Sequence, residues 1–178
     1  MARVFSAIDI EDDKVLRKLK NIRDTLDLDF SPVKPEKMHV TLEFFEDIDQ
    51  DEIKKIKKAV SNIDLDSFEI KLQGLGAFPS EDFIRVVWAG VESSKIFELQ
   101  KQAGLHNIST DNKHEFKPHI TLIRVDNISQ GKKKKLKSMI EEHKDEDFGT
   151  VKVDKVKLFE SRITGKGSNY RKISEHKL

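Results

Sequence analysis

The sequence predicts a duplicated, bilobal α+β fold, and three observations predict it. His-Val-Thr-Leu at residues 39–42 returns eighty residues later as His-Ile-Thr-Leu at 119–122. Arg3-Val4-Phe5-Ser6-Ala7-Ile8 is similar to Arg85-Val86-Val87-Trp88-Ala89-Gly90, at nearly the same offset. Each half also alternates apolar strands with amphipathic helices in one order, β-α-β-α-β. The expectation is a single domain over 1–178, with internal repeats of about 1–78 and 79–178.

In the first half, residues 3–9 form an apolar strand. A helix is predicted from about Asp12 to Leu28, because Val15, Leu16, Leu19, Ile22 and Leu26 fall on one face. A loop with Pro32 and Pro35 leads to the His39 strand. A second helix follows over about 51–63, with Ile53, Ile56, Val60 and Ile63 at helical spacing. Phe68, Ile70 and Leu72 alternate as a strand. Gly74, Gly76 and Pro79 then suggest a tight link to the next strand. The second half opens with a strand over 83–91. Ser93 or Ser94 caps a helix to about Ile108, and the His119 strand comes next. Ser129 caps a helix to about Lys144, with Leu136, Met139 and Ile140 inward. A closing stretch over 150–160 carries Val151, Val153, Val156 and Leu158, and its change of step predicts a bulge or break. No Gly-rich strand-to-helix turn is present, and a proline-bearing loop precedes the His39 strand. Both weigh against a doubly wound parallel sheet.

Composition narrows the chemistry. The 33 Lys and Arg nearly balance 32 Asp and Glu, so no global field attracts nucleic acid, and a basic site must be local. The absence of cysteine excludes disulfides, thiolate catalysis and Cys-ligated zinc. Asp9 interrupts the apolar start that a signal peptide needs. No uncharged run approaches the roughly 18 residues of a membrane span. A cytoplasmic protein without membrane association is expected.

In each repeated motif the His and Thr share one strand face, while Val40, Leu42, Ile120 and Leu122 turn to the core. Bringing the two strands together makes a cleft with two imidazoles and two hydroxyls. That equipment suits acid–base chemistry on a phosphate: one His takes a proton and the other gives one. Thr41 and Thr121 hold phosphoryl oxygens. Five residues beyond His39 stands Phe44, whereas five beyond His119 stands Arg124. An Arg at that place stabilises an anion and fixes substrate orientation, although a solvent-facing strand-end Arg is the plain alternative.

The paired motifs resemble those of the two-histidine phosphoesterase superfamily, and within it the RNA 2′,3′-cyclic phosphodiesterases, also called 2′-5′ RNA ligases. The opening Arg3–Asp9, Leu75-Gly76-Ala77-Phe78-Pro79, the strand 85–90, Phe116–Arg124 and Leu158-Phe159-Glu160-Ser161 are similar to that family as well. They span nearly the whole chain, in order. The resemblance implies two lobes related by a pseudo-twofold axis, each with a largely antiparallel sheet lining a central groove. It implies hydrolysis of a terminal 2′,3′-cyclic phosphate to a 2′-phosphomonoester, with 2′-5′ ligation in some members, no cofactor and no metal. It assigns His39 as proton donor and His119 as acceptor, an order that the residues themselves leave open. RNA ends are the expected partner, and a monomer the expected state.

Further candidates are weighed against plainer readings. Lysines 132–135 could meet RNA phosphates, but such a run usually solvates a helix face. Trp88 and Tyr170 could stack on a base. Trp88 lies in an apolar strand and reads as core, whereas Tyr170 sits in a tail that looks flexible and is the better candidate. Arg3 and Arg85 could face the groove or form strand-end ion pairs. His106, His114, His143 and His176 lack paired context and read as surface residues. Three rival functions stay open: a metal-dependent phosphodiesterase, a phosphodiesterase for small cyclic phosphates, and a non-catalytic module that binds nucleotides or RNA ends.

Overall fold

The computed structural model describes residues 2–26, 31–104, 115–126, 128–164 and 167–178. Four helices and nine strands follow in the order β1 (Ala2–Asp9), α1 (Asp13–Thr25), β2 (Ser31–Pro32), β3 (His39–Ile48), α2 (Gln50–Ser61), β4 (Phe68–Ser80), β5 (Phe83–Glu92), α3 (Ser94–Ala103), β6 (His119–Arg124), α4 (Gln130–Glu142), β7 (Asp147–Val153), β8 (Lys155–Thr164) and β9 (Gly167–Lys177). A short 3-10 turn, Pro35–Lys37, leads into β3.

Every described strand pairing is antiparallel. The strand order β7-β4-β5-β6-β3-β1-β8-β9 falls into two four-stranded halves. They meet at a single ladder pair, Val40 opposite Ile120. Beyond it the edge of β6 turns to β2, through Ser31 opposite Arg124 and Pro32 opposite Ile123. The halves therefore diverge from a narrow seam, and that seam carries both repeated motifs.

The core forms where the sequence pattern places it. Val40, Leu42, Ile120 and Leu122 are buried, as are Val15, Leu19 and Ile22 of α1, Ile56 and Val60 of α2, Ile96 and Leu99 of α3, and Leu136 and Ile140 of α4. The helices cross over. Although α1 follows β1, it packs on β6 and β7, and α3, which follows β5, packs on β3. Each sheet half thus draws cover from both halves of the sequence. Strand exchange repeats the pattern: β4 pairs with β5 and β7, and β8 pairs with β1.

Several element limits differ from expectation. Helix α1 stops at Thr25, where Leu26 turns extended, and residues 27–30 lie outside the described set. Helix α3 stops at Ala103 with Gly104 as its C-cap, and Ile108, His106 and His114 fall outside the described residues. The tight link expected at Gly74–Pro79 is not a turn. Strand β4 continues through these residues to Ser80, and the hairpin lies at 81–82. Gly76 is required because a Cβ there would run into the Trp88 indole across the ladder. Gly74, at φ 73°, sits at a register shift. The break expected between Val153 and Val156 falls at Asp154, where the chain leaves one sheet half for the other. The tail that looked flexible is strand β9, paired along its length with β8.

Candidate active site

His39 and Thr41 stand on β3, His119 and Thr121 on β6, and each of the four side chains is half-buried. The antiparallel pair Val40–Ile120 sets His39 level with Thr121 and Thr41 level with His119. Each imidazole therefore stands at the register position across the seam from the other strand's hydroxyl.

Backbone geometry fixes which imidazole nitrogen is available. Nδ1 of His39 lies 2.7 Å from the Lys37 carbonyl oxygen, and Nδ1 of His119 lies 2.7 Å from that of Lys117. A carbonyl only accepts, so each Nδ1 carries the proton and donates it. Nε2 is left as the working nitrogen on both rings, basic when neutral and acidic when protonated. The repeat extends to these lysines, as Lys-x-His-x-Thr-Leu at 37–42 and 117–122, although only the main-chain carbonyl of each lysine meets the ring.

Burial lowers both imidazoles from the ordinary value near 6.5. The carbonyl hydrogen bonds work against that, because they favour the charged ring. Asp9 also raises His39, while Arg124 and His119 lower it. On His119, Arg124 and Lys117 both lower it further. Both rings thus sense the Arg124 charge. Arg124 itself is exposed, and it has no ion-pair partner among the described residues.

Aromatic rings wall the groove differently on its two sides. Phe5 lies 5.1 Å from the His39 ring, and Tyr170 meets His39 edge-on at 5.6 Å. Phe44 and Phe159 complete that cluster around Phe5. Tyr170 is therefore held in β9 by Phe5 and His39, rather than carried on a loose tail. On the other side Phe78 meets His119 edge-on at 4.8 Å, with Trp88 at 6.2 Å. Lys37 Nζ lies 5.7 Å from the Tyr170 ring and Lys117 Nζ lies 4.6 Å from the Trp88 ring. A cation thus rests on an aromatic face beside each histidine. Trp88 is buried, as expected, yet it stands next to His119 with Nε1 unpartnered.

Other expected candidates lie elsewhere. Arg3 pairs with Glu46, and Arg85 donates to the Asp126 carbonyl, so both are strand-end contacts. Lysines 132–135 open α4, whose inner face packs on β4. His143 and His176 are part-exposed and lie apart from the seam. His143 Nδ1 is 3.4 Å from Glu146 Oε2 at the end of α4, and His176 Nε2 is 3.0 Å from the Ile63 carbonyl oxygen. Among the described residues no group of three or more His, Asp or Glu side chains is placed to hold a metal ion. No described helix is long and apolar enough to cross a membrane.

Comparison with known proteins gives a consistent picture. Residues 5–178 match the model of the AKAP7 2′5′ RNA ligase-like domain. The RNA 2′,3′-cyclic phosphodiesterase of Methanocaldococcus jannaschii is 32% identical over 176 residues, covering 97% of this chain and 99% of that protein. The protein of the same name from Methanothermobacter thermautotrophicus is 32% identical over 184 residues, covering 99% and 98%. In fold, a crystal structure of a Thermus thermophilus protein superposes with a TM-score of 0.84 at 23% identity, over 99% of this chain and 97% of the other. Escherichia coli LigT complexed with NADP+ superposes with a TM-score of 0.75 at 19% identity, over 99% and 98%.

Proposed function

Because this chain belongs to the 2′-5′ RNA ligase-like family of two-histidine phosphoesterases, we propose that its seam of two His-x-Thr strands opens terminal 2′,3′-cyclic phosphates of RNA. The activity is that of an RNA 2′,3′-cyclic phosphodiesterase, and the family resemblance implies conversion of the cyclic end to a 2′-phosphomonoester. The observation that supports the site reading is the register that sets each imidazole level with the opposite strand's hydroxyl, with each Nδ1 committed to a backbone carbonyl and Nε2 left as the working nitrogen.

The reaction needs one base and one acid. His119, neutral, takes a proton from water through Nε2 as the water oxygen bonds to phosphorus. The phosphorus–O3′ bond breaks, and His39, protonated, gives its Nε2 proton to that oxygen. A 2′-phosphate and a 3′-hydroxyl result. Thr41 and Thr121 donate to the non-bridging oxygens as charge gathers there. Arg124 supplies a cation that both rings sense, and it offsets the anion. Phe44 and Tyr170 belong to the aromatic wall beside His39, against which the terminal nucleoside rests. The cations near His119 support its role as the neutral base, and the family resemblance supports the same order. A 5′-hydroxyl in place of water would give a 2′-5′ linkage with the same groups. The protein is expected to act as a monomer in the cytoplasm.

The test is an RNA oligomer ending in a 2′,3′-cyclic phosphate, incubated with wild type, His39→Ala and His119→Ala in EDTA. Wild type should yield a 2′-phosphate, and each variant should lose about 10²–10⁴ in rate. No turnover by the wild type, or a 3′-phosphate product, would overturn the reading.

A further inference from the structure

Pseudo-symmetric halves give two similar imidazoles, so something must make one the acid and the other the base. The strands next to the seam differ directly opposite the two histidines. On β1 the residue directly across the ladder from His39 is Asp9. On β5 the residue directly across from His119 is Gly90. Cross-strand partners share a sheet face and stand within interaction range. A carboxylate therefore neighbours one ring, and no side chain neighbours the other from that position.

Both choices are held in place by the structure. Asp9 Oδ2 accepts from Lys157 Nζ at 2.8 Å, and the same ammonium donates to Glu11 Oε1 at 2.7 Å. Lys157 is only 8% exposed. Burial works against its charge, but the hydrogen bonds to Asp9 and Glu11 outweigh that and keep it an ammonium. Asp9 is thus an anion pinned by a buried cation. It makes no hydrogen bond to His39, whose Nδ1 is already committed to the Lys37 carbonyl. At Gly90, a Cβ would lie 2.6 Å from the Gln73 carbonyl oxygen. That backbone contact bars any side chain, and hence any carboxylate, from the equivalent position.

We infer that Asp9 is a positioning residue whose carboxylate, metered by Lys157, biases His39 toward its protonated form and so toward the acid role of the pair. The inference rests on the proposed function and names the device that breaks the symmetry of that site. The charged and titratable groups facing His39 are Asp9 from β1, His119 and Arg124 from β6, Lys37 from the segment before β3, and Tyr170 from β9. Lys157 of β8 acts through Asp9. Asp9 is the one anion named in this set.

Opposite variants should act in opposite directions. Asp9→Asn removes the anion, so His39 loses its proton at lower pH. The basic limb of kcat/KM against pH should move to lower pH, with the rate at pH 7.5 falling about three- to tenfold and the rate on the acidic limb little changed. Lys157→Met leaves the Asp9 charge less neutralised, so the basic limb should move to higher pH. A merely structural role would lower the rate in both variants without moving the limbs apart. NMR titration of the two imidazoles in the free protein gives a readout that needs no turnover. His39 should shift down in Asp9→Asn and up in Lys157→Met, with His119 following far less. Should Asp9→Asn fail to fold, the sign of the Lys157→Met shift alone decides. An unmoved His39 titration, or equal shifts in both rings, overturns the inference. Absent RNA turnover with the predicted His39 shifts intact would defeat the function instead.

Discussion

At the scale of single residues, the proposed site turns on two nitrogen atoms whose state is set by what lies around them. Burial holds both imidazoles below the ordinary value of 6.5 in the free protein. The profile of kcat/KM should therefore be a bell whose optimum lies on the acid side of 6.5. Bound substrate adds an anionic phosphodiester, which favours imidazolium, so the kcat profile should sit at higher pH than the kcat/KM profile. Measuring both on one cyclic-phosphate substrate checks this, and an alkaline optimum common to both would contradict it. Thr121→Val removes the proposed donor to the developing charge, and kcat should fall about 10- to 100-fold with a smaller change in KM. The His and Thr residues were legible because strand periodicity puts them on one face. The lysines two places upstream were not singled out, because what orients each ring is their main-chain carbonyl, and any residue supplies one.

Elements were legible where burial imposes a period. Helices α1, α2 and α4 show buried residues at the spacing the sequence displays, and caps such as Asp49, with its reciprocal Glu52 contact, mark their starts. Strand β9 was not, since Gly-Ser-Asn-Tyr-Arg-Lys-Ile-Ser-Glu-His-Lys has no apolar alternation. It pairs with β8 on one edge, and its half-buried side carries polar residues such as Ser168, Tyr170, Ser174 and His176, so no apolar pattern advertises the strand. The Gly-rich end of β4 misled for a different reason. Glycine there serves the close approach of Trp88, not a turn. Gly76→Ala should force that indole aside, at a cost of about 1–3 kcal/mol in stability. Because Trp88 stands beside His119, the same variant should lower kcat/KM. Urea unfolding and a rate assay on one preparation test both, and an unchanged rate with lowered stability would separate the indole from the site.

For the whole molecule, the crossing helices and exchanged strands mean that the seam is held by both sheet halves at once, while the seam itself contributes a single ladder pair. Placing two imidazoles there has a consequence for folding. Their folded-state values lie below 6.5, so between those values and 6.5 the unfolded chain binds more protons than the native one. Stability then rises with pH across that window and is lost as pH falls from 6.5 toward the folded values. The double variant His39→Gln/His119→Gln lacks this linkage. Its unfolding free energy should decline less steeply than the wild type's between about pH 6.5 and 5, with the carboxylates common to both proteins cancelling in the difference. An anion in the groove reverses the argument, because it binds the protonated rings best and a ligand selective for the native state stabilises it. Inorganic phosphate should therefore raise the Tm of the wild type more at about pH 5.5 than at about pH 7.5, and should do so little in the double variant. Equal stabilisation of both proteins at both pH values would place the phosphate somewhere other than between the two histidines.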